Sequence, residues 1–297
     1  MHRLRVATLN IWNRSGPWEA RLALIRARLE ALGPDLLGLQ EVLEFEGGGA
    51  RSNLAEEIAE GLGYDSAYGM GHELRFDSGP ALGAQAGGEA EAKERSAPGR
   101  LTFGNALLSR HPILRKKVHP LPGADPGALA RSLLEVWVRA PFGVLPIFVT
   151  HLNWKLHEGA IRVAQVRAIA AIIAEAAPIE DEIFPPILMG DLNAEPESDE
   201  IRFLSGLATI DGQSVYFADV WRAQGQGAGA TFSPQNAYAA PIHEPARRID
   251  YIFVRGPDRR GRGKPLSASL CFDTPEGGIW PSDHFGVVSD LWLGEGT

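Results

Sequence analysis

Short apolar runs that each stop at a polar side chain constrain the fold of this chain more than any other feature. VATLN stops at Asn10, LLGLQE at Glu41, IFVTH at His151 and ILMGD at Asp191. Asp250 interrupts the apolar stretch of RRIDYIFV, and Asp283-His284 opens that of WPSDHFGVV. Runs of about four to eight aliphatic and β-branched residues read as buried strands, and strand ends are where α/β folds set reactive groups. Strands are expected over Leu4–Ile11, Asp35–Val42, Leu101–Ser109, Ile113–His119, Ala130–Arg139, Val144–His151, Pro186–Gly190, Arg248–Val254, Leu266–Phe272 and Phe285–Leu293. Leu22, Ile25, Leu29 and Leu32 recur at helical spacing with Arg21, Arg26, Arg28 and Glu30 on the other face, and Gly33-Pro34 ends that helix. Gly159–Ala176 reads as a long helix with Ile161, Ala164, Ala168, Ile169 and Ile172 on one side. Shorter helices are expected over Ser52–Leu62, opened by a Ser cap, and near Ser198–Gly206 and Ala218–Ala223. Helix-separated strands at both ends and hairpin-like strands in the middle predict two packed sheets with helices outside, in one α/β domain over 1–297.

Residues 69–99 break the pattern. Gly, Ala and Glu dominate, the periodicity vanishes, and Pro80 and Pro98 punctuate the segment, so a flexible insertion is expected. The formal net charge of −8, from 29 basic and 37 acidic residues, gives no support for a general affinity for phosphate backbones. A bound cation and a local basic rim would still admit nucleic acid. The dense basic clusters are Arg247-Arg248 and an exposed-looking loop carrying Arg255, Arg259, Arg260, Arg262 and Lys264. The single cysteine, Cys271, cannot form an internal disulfide and reads as a small core residue. MHRLRVATLNIW reads directly as a strand, without an apolar signal-peptide core, and no segment is long enough to span a bilayer. A cytoplasmic protein without a membrane anchor is the expectation, and no sequence feature points to an obligate protein partner.

Taken singly, each polar strand end also has a plain reading. Asn10 is a strand-end turn former, or an amide that binds a phosphate oxygen or orients a metal ligand. Glu41 must face solvent or be paired, and ligation of a hard cation is one such pairing. His151 is a satisfied strand-end imidazole or a donor to a phosphoryl oxygen. Asp191 and Asn193 are two apart, so an extended backbone turns both to one side, where a carboxylate and an amide suit a water held beside a phosphate. Asp250 inside an apolar strand needs a partner, and a histidine held by an aspartate gains a fixed tautomer and a higher basicity. Asp250 is assigned to His284, leaving Asp283 free to face a metal, an assignment the residue pattern alone does not fix. Arg100, Asn105 in FGNALLSRHPI, Arg131 and Asn236 in TFSPQNAY could reach substrate oxygens. Arg131 reads equally as an edge-strand charge and Asn236 as a turn former. Arg162 and Gln165, one helical turn apart, could brace the strand end at His151. Trp12, Trp154 and Trp280 could wall a substrate groove or pack in the core. His2, His72, His111, His119 and His243 have no partner pattern and read as surface or loop residues.

In their order and spacing, TLN, QE, THL, GDxN, RIDYIF and SDH resemble the endonuclease/exonuclease/phosphatase superfamily, with its deoxyribonuclease I-like fold. The resemblance runs from about Leu4 to Leu293 apart from the insertion, and GDLNAEPES and PSDHFGVV are its most specific segments. It implies a four-layer, two-sheet α/β sandwich, helices outside two packed mixed β-sheets, with the active site across the sheet ends. It also implies a metal-dependent phosphoesterase that hydrolyses a phosphodiester by in-line water attack. Asn10, Glu41 and Asp283 would then surround a divalent ion, Mg²⁺ or alternatively Mn²⁺, with Glu41 as main ligand. Asp191 and Asn193 would position the attacking water and contact the phosphate. Asp250 would pair with His284, which would hold the phosphate or share in proton transfer. His151 matches the deoxyribonuclease I-like and sphingomyelinase-like branches, where the abasic-site branch has tyrosine.

Three functions stay open at this level: a phosphodiesterase for nucleic acid or nucleotides, a hydrolase of lipid or sugar phosphates, and a non-catalytic binding module. A non-catalytic module predicts loss of a core polar position, and none is missing. The inositol-phosphatase branch carries an aromatic GDxNYR segment and a WCDR motif, neither of which is present. GDxNxxP is widely shared and selects no substrate.

Overall fold

Strands buried on both faces need cover on both sides, and the order of elements supplies it. Along the chain these are β1 (Arg3–Asn10), α1 (Trp18–Leu32), β2 (Leu36–Gly47), β3 (Ala50–Asn53), α2 (Leu54–Ala59), β4 (Asp65–Leu74) and β5 (Gly99–Ser109). There follow β6 (Ile113–Pro120), β7 (Ser132–Ala140), β8 (Gly143–His151), α3 (Gly159–Ala176), β9 (Ile187–Asp191) and α4 (Asp199–Leu204). The chain then forms β10 (Phe217–Asp219), α5 (Val220–Gln224), β11 (Asp250–Arg255), β12 (Ser269–Cys271) and β13 (Gly286–Trp292). The structure is a computed structural model that describes residues 3–74, 99–123, 130–180, 183–256 and 258–294.

One sheet runs β12-β13-β1-β2-β5-β4, with β3 added to β2, and the other runs β10-β11-β9-β8-β7-β6. Both are mixed, since β1 pairs parallel to β2 and β8 parallel to β9 while their neighbours are antiparallel. Leu4, Val6, Leu36 and Leu107 of the first sheet pack against Val136, Ile147, Met189 and Ile252 of the second to form the central core. The outer face of the first sheet is covered by Trp18, Ile25 and Leu29 of α1 and Ile58 of α2. The outer face of the second is covered by Val166, Ile169 and Ile173 of α3 and Ile201 of α4. This is the four-layer, two-sheet α/β sandwich expected from the sequence.

Two glycines set the close approach of the strands that carry the site. A Cβ on Gly38 in β2 would lie 2.6 Å from Met189 Sδ in β9 of the facing sheet. One on Gly190, whose φ is +145°, would lie 1.9 Å from the Thr150 carbonyl oxygen of β8. A side chain at Gly190 would collide with backbone and one at Gly38 would push Met189 aside, so both glycines let the strands bearing Glu41, His151 and Asp191 approach closely.

The structure corrects several local expectations. The insertion expected over 69–99 is corrected at its edges, because Gly69 through Leu74 complete β4, which pairs with β5, and Gly99 starts β5. Residues 75–98 lie outside the described residues. The cap of α2 is Asn53, whose side chain accepts from the Ala55 and Glu56 amides, while Ser52 belongs to β3. The buried face of α3 centres on Arg162, Gln165, Val166, Ile169, Ala170 and Ile173, leaving Ile161, Ala164, Ala168 and Ile172 at its margin. The rotation turns two polar side chains inward, where loop carbonyls and amides meet them. Arg21, expected on the solvent face of α1, is fully buried. His119 is not a plain surface residue, because its Nε2 lies 2.7 Å from the buried Glu135 carboxylate. No helix among the described residues is long and apolar enough to cross a membrane.

Candidate active site at the converging strand ends

Register brings the polar ends together. Asn10 faces Gln40 across β1–β2, and Asp191 faces both His151 of β8 and Asp250 of β11. The antiparallel return of β11 is what places Asp250 at the beginning of its strand beside residues that end theirs. β2 continues past Glu41 to Gly47, but its pairing with β5 slips between Leu39 and Val42, and Glu41 sits at a φ of +61°. A non-glycine residue held left-handed within a bulge is strained, and here the strain turns the carboxylate toward Asn10.

Asp191 is the hub. Its Oδ2 accepts from Asn10 Nδ2 at 3.0 Å, its Oδ1 accepts from the Asn193 amide at 2.9 Å, and His151 Nε2 lies 3.4 Å from Oδ2. Asn193, itself at a φ of +49°, donates from Nδ2 to the Leu152 carbonyl. Asn10 Nδ2 also reaches Glu41 Oε1 at 3.3 Å, and Asn13 Nδ2 donates to Glu41 Oε2 at 3.0 Å. His284 Nδ1 and Asp250 Oδ2 form a hydrogen bond of 2.9 Å, with His284 Nε2 3.8 Å from Asp191. Ser282 Oγ donates to the Asn10 carbonyl and lies 3.2 Å from Asp283 Oδ1, fixing the SDH segment to the end of β1.

Burial works against charge throughout, and the partners decide the outcome. It raises the pKa of Asp191, with Asp250 adding to the rise, and raises that of Asp283, with Glu41 adding to it. Burial pushes the His284 imidazole toward neutrality, but Asp250, Asp283 and Asp191 together outweigh it and hold the group well above its usual value. His151 lacks a dominant counter-charge, so burial and then Arg131 push it well below its usual value, leaving a neutral imidazole.

Arg131, which immediately precedes β7, is buried, and among the described residues it makes no hydrogen bond or ion pair. Its guanidinium feels Glu41, Asp191 and Glu158 only through space, and burial lowers its pKa. The reading of Arg131 as an edge-strand charge is therefore replaced by that of a buried, unpartnered cation. Asn105 is also buried, donating from Nδ2 to the Ser132 carbonyl and leaving Oδ1 without a partner. Asn236 braces the SDH segment through its side chain. It is fully buried, donates from Nδ2 to the Ser282 carbonyl at 2.8 Å, and accepts from the Tyr238 amide. Arg100 pairs with Glu73 on the exposed part of β5. Arg162 and Gln165 do brace the loop after His151, binding the Asn153 carbonyl and side chain, respectively. Trp12 stacks on Tyr238 with ring centroids 5.0 Å apart, whereas Trp154 is exposed.

Sequence reasoning gave no site role to Arg21, Asn13, Ser282 or His72. His72 lies on β4 with its ring 5.1 Å from Phe103, which in turn neighbours His151. A second amide three positions after Asn10 and a serine beside Asp283 were the available signals for Asn13 and Ser282. Arg21 and His72 left none, because their partners are remote in sequence.

Ligand atoms of Asp191, Asp250 and His284 lie within 4.8 Å of one another, a buried group that could hold a metal ion. Glu41 and Asp283 form a different set, two carboxylates whose mutual repulsion contributes to raising Asp283. Carboxylates, imidazoles and a lone guanidinium, several with shifted pKa values, converge at these strand ends, which marks them as a candidate functional site.

The chain belongs to the Endonuclease/Exonuclease/phosphatase family, whose sequence profile matches residues 7–284. Its fold is similar to the crystal structure of an endonuclease/exonuclease/phosphatase from Beutenbergia cavernae, at 27% identity and a TM-score of 0.69, covering 99% of this chain and 72% of that one. It is also similar to D. rerio TDP2 complexed with single strand DNA product, at 18% identity and a TM-score of 0.69 over 98% of this chain and 99% of that one. The human Nocturnin catalytic domain with bound sulfate anion matches at 19% identity and a TM-score of 0.63 over 97% of this chain and 93% of that one. No curated protein matches the sequence at a significant level. Family membership supports a phosphoesterase.

Proposed function

We propose that the protein is a divalent-metal-dependent phosphodiesterase that hydrolyses its substrate by in-line attack of water. The observation that carries this reading is the buried Arg131 guanidinium, which has no partner among the described residues and lies within the field of Glu41 and Asp191. An unpaired buried cation is costly and is satisfied when an anion enters, and a phosphoryl group offers oxygens suited to its planar donors.

The donor set of Glu41 and Asp283, with Asn10 beside them, is all oxygen and amide and includes two carboxylates in need of a counter-charge, which fits Mg²⁺ or Mn²⁺. Once bound there, the ion would supply Lewis-acid polarisation of a phosphoryl oxygen. The chain's own residues do the rest. Asp191, held by the Asn193 amide, orients the water, whose oxygen forms the new bond to phosphorus as the bond to the leaving oxygen breaks. The water proton passes to the group formed by Asp191 and the imidazoles beside it. His151, neutral, and Arg131 donate toward the non-bridging oxygens, while His284, held charged by Asp250, faces the leaving side or the phosphate.

The substrate we favour is a small or single-stranded phosphodiester. The basic run from Arg255 to Lys264 follows the far end of β11, whose beginning is Asp250. Arg255 bonds the Ala177 carbonyl and Arg262 bonds Asp258, so these cations serve the fold at the opposite edge from the site. The similar D. rerio TDP2, complexed with single strand DNA product, agrees with that choice. The test is a panel of phosphate esters (a small aryl diester, a single-stranded oligonucleotide, duplex, a choline phospholipid and a sugar monophosphate) with Mg²⁺ or Mn²⁺. Turnover of the aryl diester or the oligonucleotides supports the reading, turnover of the phospholipid alone overturns the choice of substrate, and turnover of the monophosphate alone overturns the diesterase reading.

A further inference from the structure

Arg21 is the one fully buried cation on the metal-facing side of the site, and no carboxylate touches it among the described residues. Its donors go instead to four carbonyls. Nε donates to Pro281 at 3.1 Å, Nη1 to Ser15 at 2.5 Å and Asn13 at 3.4 Å, and Nη2 to Ile11. The guanidinium also lies 5.0 Å from the Trp12 ring centroid and 5.4 Å from that of Trp18, so aromatic faces enclose it.

Each bonded carbonyl belongs to a segment that fixes a carboxylate. Within 11–15, the Trp12 amide donates to Asn10 Oδ1 and the Asn13 side chain donates to Glu41, while Ser15 Oγ donates to Asn13 Oδ1. Trp12 and Asn13 take φ values of +54° and +38°, so the loop is strained and needs external bonds to hold its shape. Pro281 directly precedes Ser282 and Asp283, and Ser282 is tied back to the Asn10 carbonyl. One planar fork thus joins the loop behind Glu41 to the segment carrying Asp283, with Pro281 lying 260 residues beyond Arg21 in the chain. Its charge attracts both carboxylates through space, with Asp283 the stronger. That attraction partly offsets their repulsion before any ion arrives.

We infer that Arg21 is a positioning residue that presets the Glu41–Asp283 pair for a divalent cation. The inference rests on the proposed metal-dependent reading. It acts through the backbone and through Asn13, and it touches neither metal nor substrate. Lysine cannot reproduce the function, because a single ammonium cannot reach carbonyls on both segments in a fixed plane.

Mn²⁺ binding to metal-stripped protein, followed by loss of the free-ion electron paramagnetic resonance signal, tests this without recourse to activity. Arg21→Met and Arg21→Lys are expected to weaken Mn²⁺ binding by about 10–100-fold, the range for residues that orient metal ligands. Asn13→Gly keeps the left-handed backbone while removing the bond to Glu41, and is expected to weaken binding in the same direction by less. At saturating Mn²⁺ the kcat of Arg21→Lys on a small diester should recover most of the wild-type value, whereas the Mn²⁺ concentration it needs rises. Wild-type affinity in a folded Arg21→Met protein would overturn the role of Arg21 and leave the metal reading intact. Should Arg21→Met fail to fold, an unchanged Mn²⁺ affinity in Asn13→Gly overturns the relay to Glu41. Absence of Mn²⁺ binding by the wild type would overturn both.

Discussion

Replacing Arg131 with methionine separates a functional residue from a structural one. Methionine keeps an unbranched, flexible stem but is shorter than arginine and carries no charge. In the structure Arg131 is 5% exposed and its side chain makes no hydrogen bond or ion pair among the described residues, so the variant breaks no polar contact. A buried ion carries a penalty of several kcal/mol even after relaxation, and hydrophobic replacement of buried charged groups often stabilises by about 1–4 kcal/mol. Here Glu41, Asp191 and Glu158 attract the guanidinium through space, which offsets part of the penalty and puts the expected gain near the lower end, about 1 kcal/mol. Loss of a donor to the charge developing on the non-bridging phosphoryl oxygens lowers kcat by roughly 10²–10³. Urea unfolding of metal-stripped protein, with kinetics on an aryl phosphodiester, reads both quantities. A methionine variant that is less stable than wild type and equally active would refute the assignment.

Three further outcomes follow from the same geometry. His284→Ala and His151→Ala should each lower kcat by about 10²–10⁴, the scale of acid–base and proton-donating groups, whereas His111→Ala, outside the site, should change it little in steady-state assays. Replacing residues 76–98 by a short linker should preserve most of the thermal stability, because Leu74 and Leu101 are register partners in the β4–β5 pair and the chain ends already meet; a large loss of melting temperature would count against it. In direct competition, a small diester or single-stranded oligonucleotide should be preferred over duplex with only a shallow salt dependence of KM, and a steep salt slope with duplex preferred would point to phosphate contacts beyond this site.

How much of this was legible in the sequence depended on whether the deciding partner was near in the chain. The buried parallel strands β1, β8 and β9 read clearly, because continuous apolar runs ending at Asn10, His151 and Asp191 leave few alternatives. β2 was read only to Val42, since Glu41 looks like a terminator and nothing local reveals a bulge that lets pairing resume toward Gly47. The His284–Asp250 bond depends on antiparallel β11 lying beside β9, which the SDH and RIDYIF motifs suggest only through the family resemblance. Arg21 was misplaced because helical periodicity assigns a guanidinium to solvent, and the carbonyls that bury it come from a strained loop and from Pro281. The His119–Glu135 pair spans β6 and β7 diagonally, a relation that strand register creates and composition does not show. Arg255 and Arg262 looked like solvated charges for the same reason, although both bond within the fold.

Hydrolysis of an aryl phosphodiester by metal-stripped protein tests the central reading most directly. Without added ion the rate should fall to background, and Mg²⁺ or Mn²⁺ should restore it in wild type but not in Glu41→Gln, which keeps the shape of the side chain and loses its charge. Full turnover by stripped protein, or full restoration in Glu41→Gln, would contradict the assignment of Glu41 and Asp283 to a divalent cation.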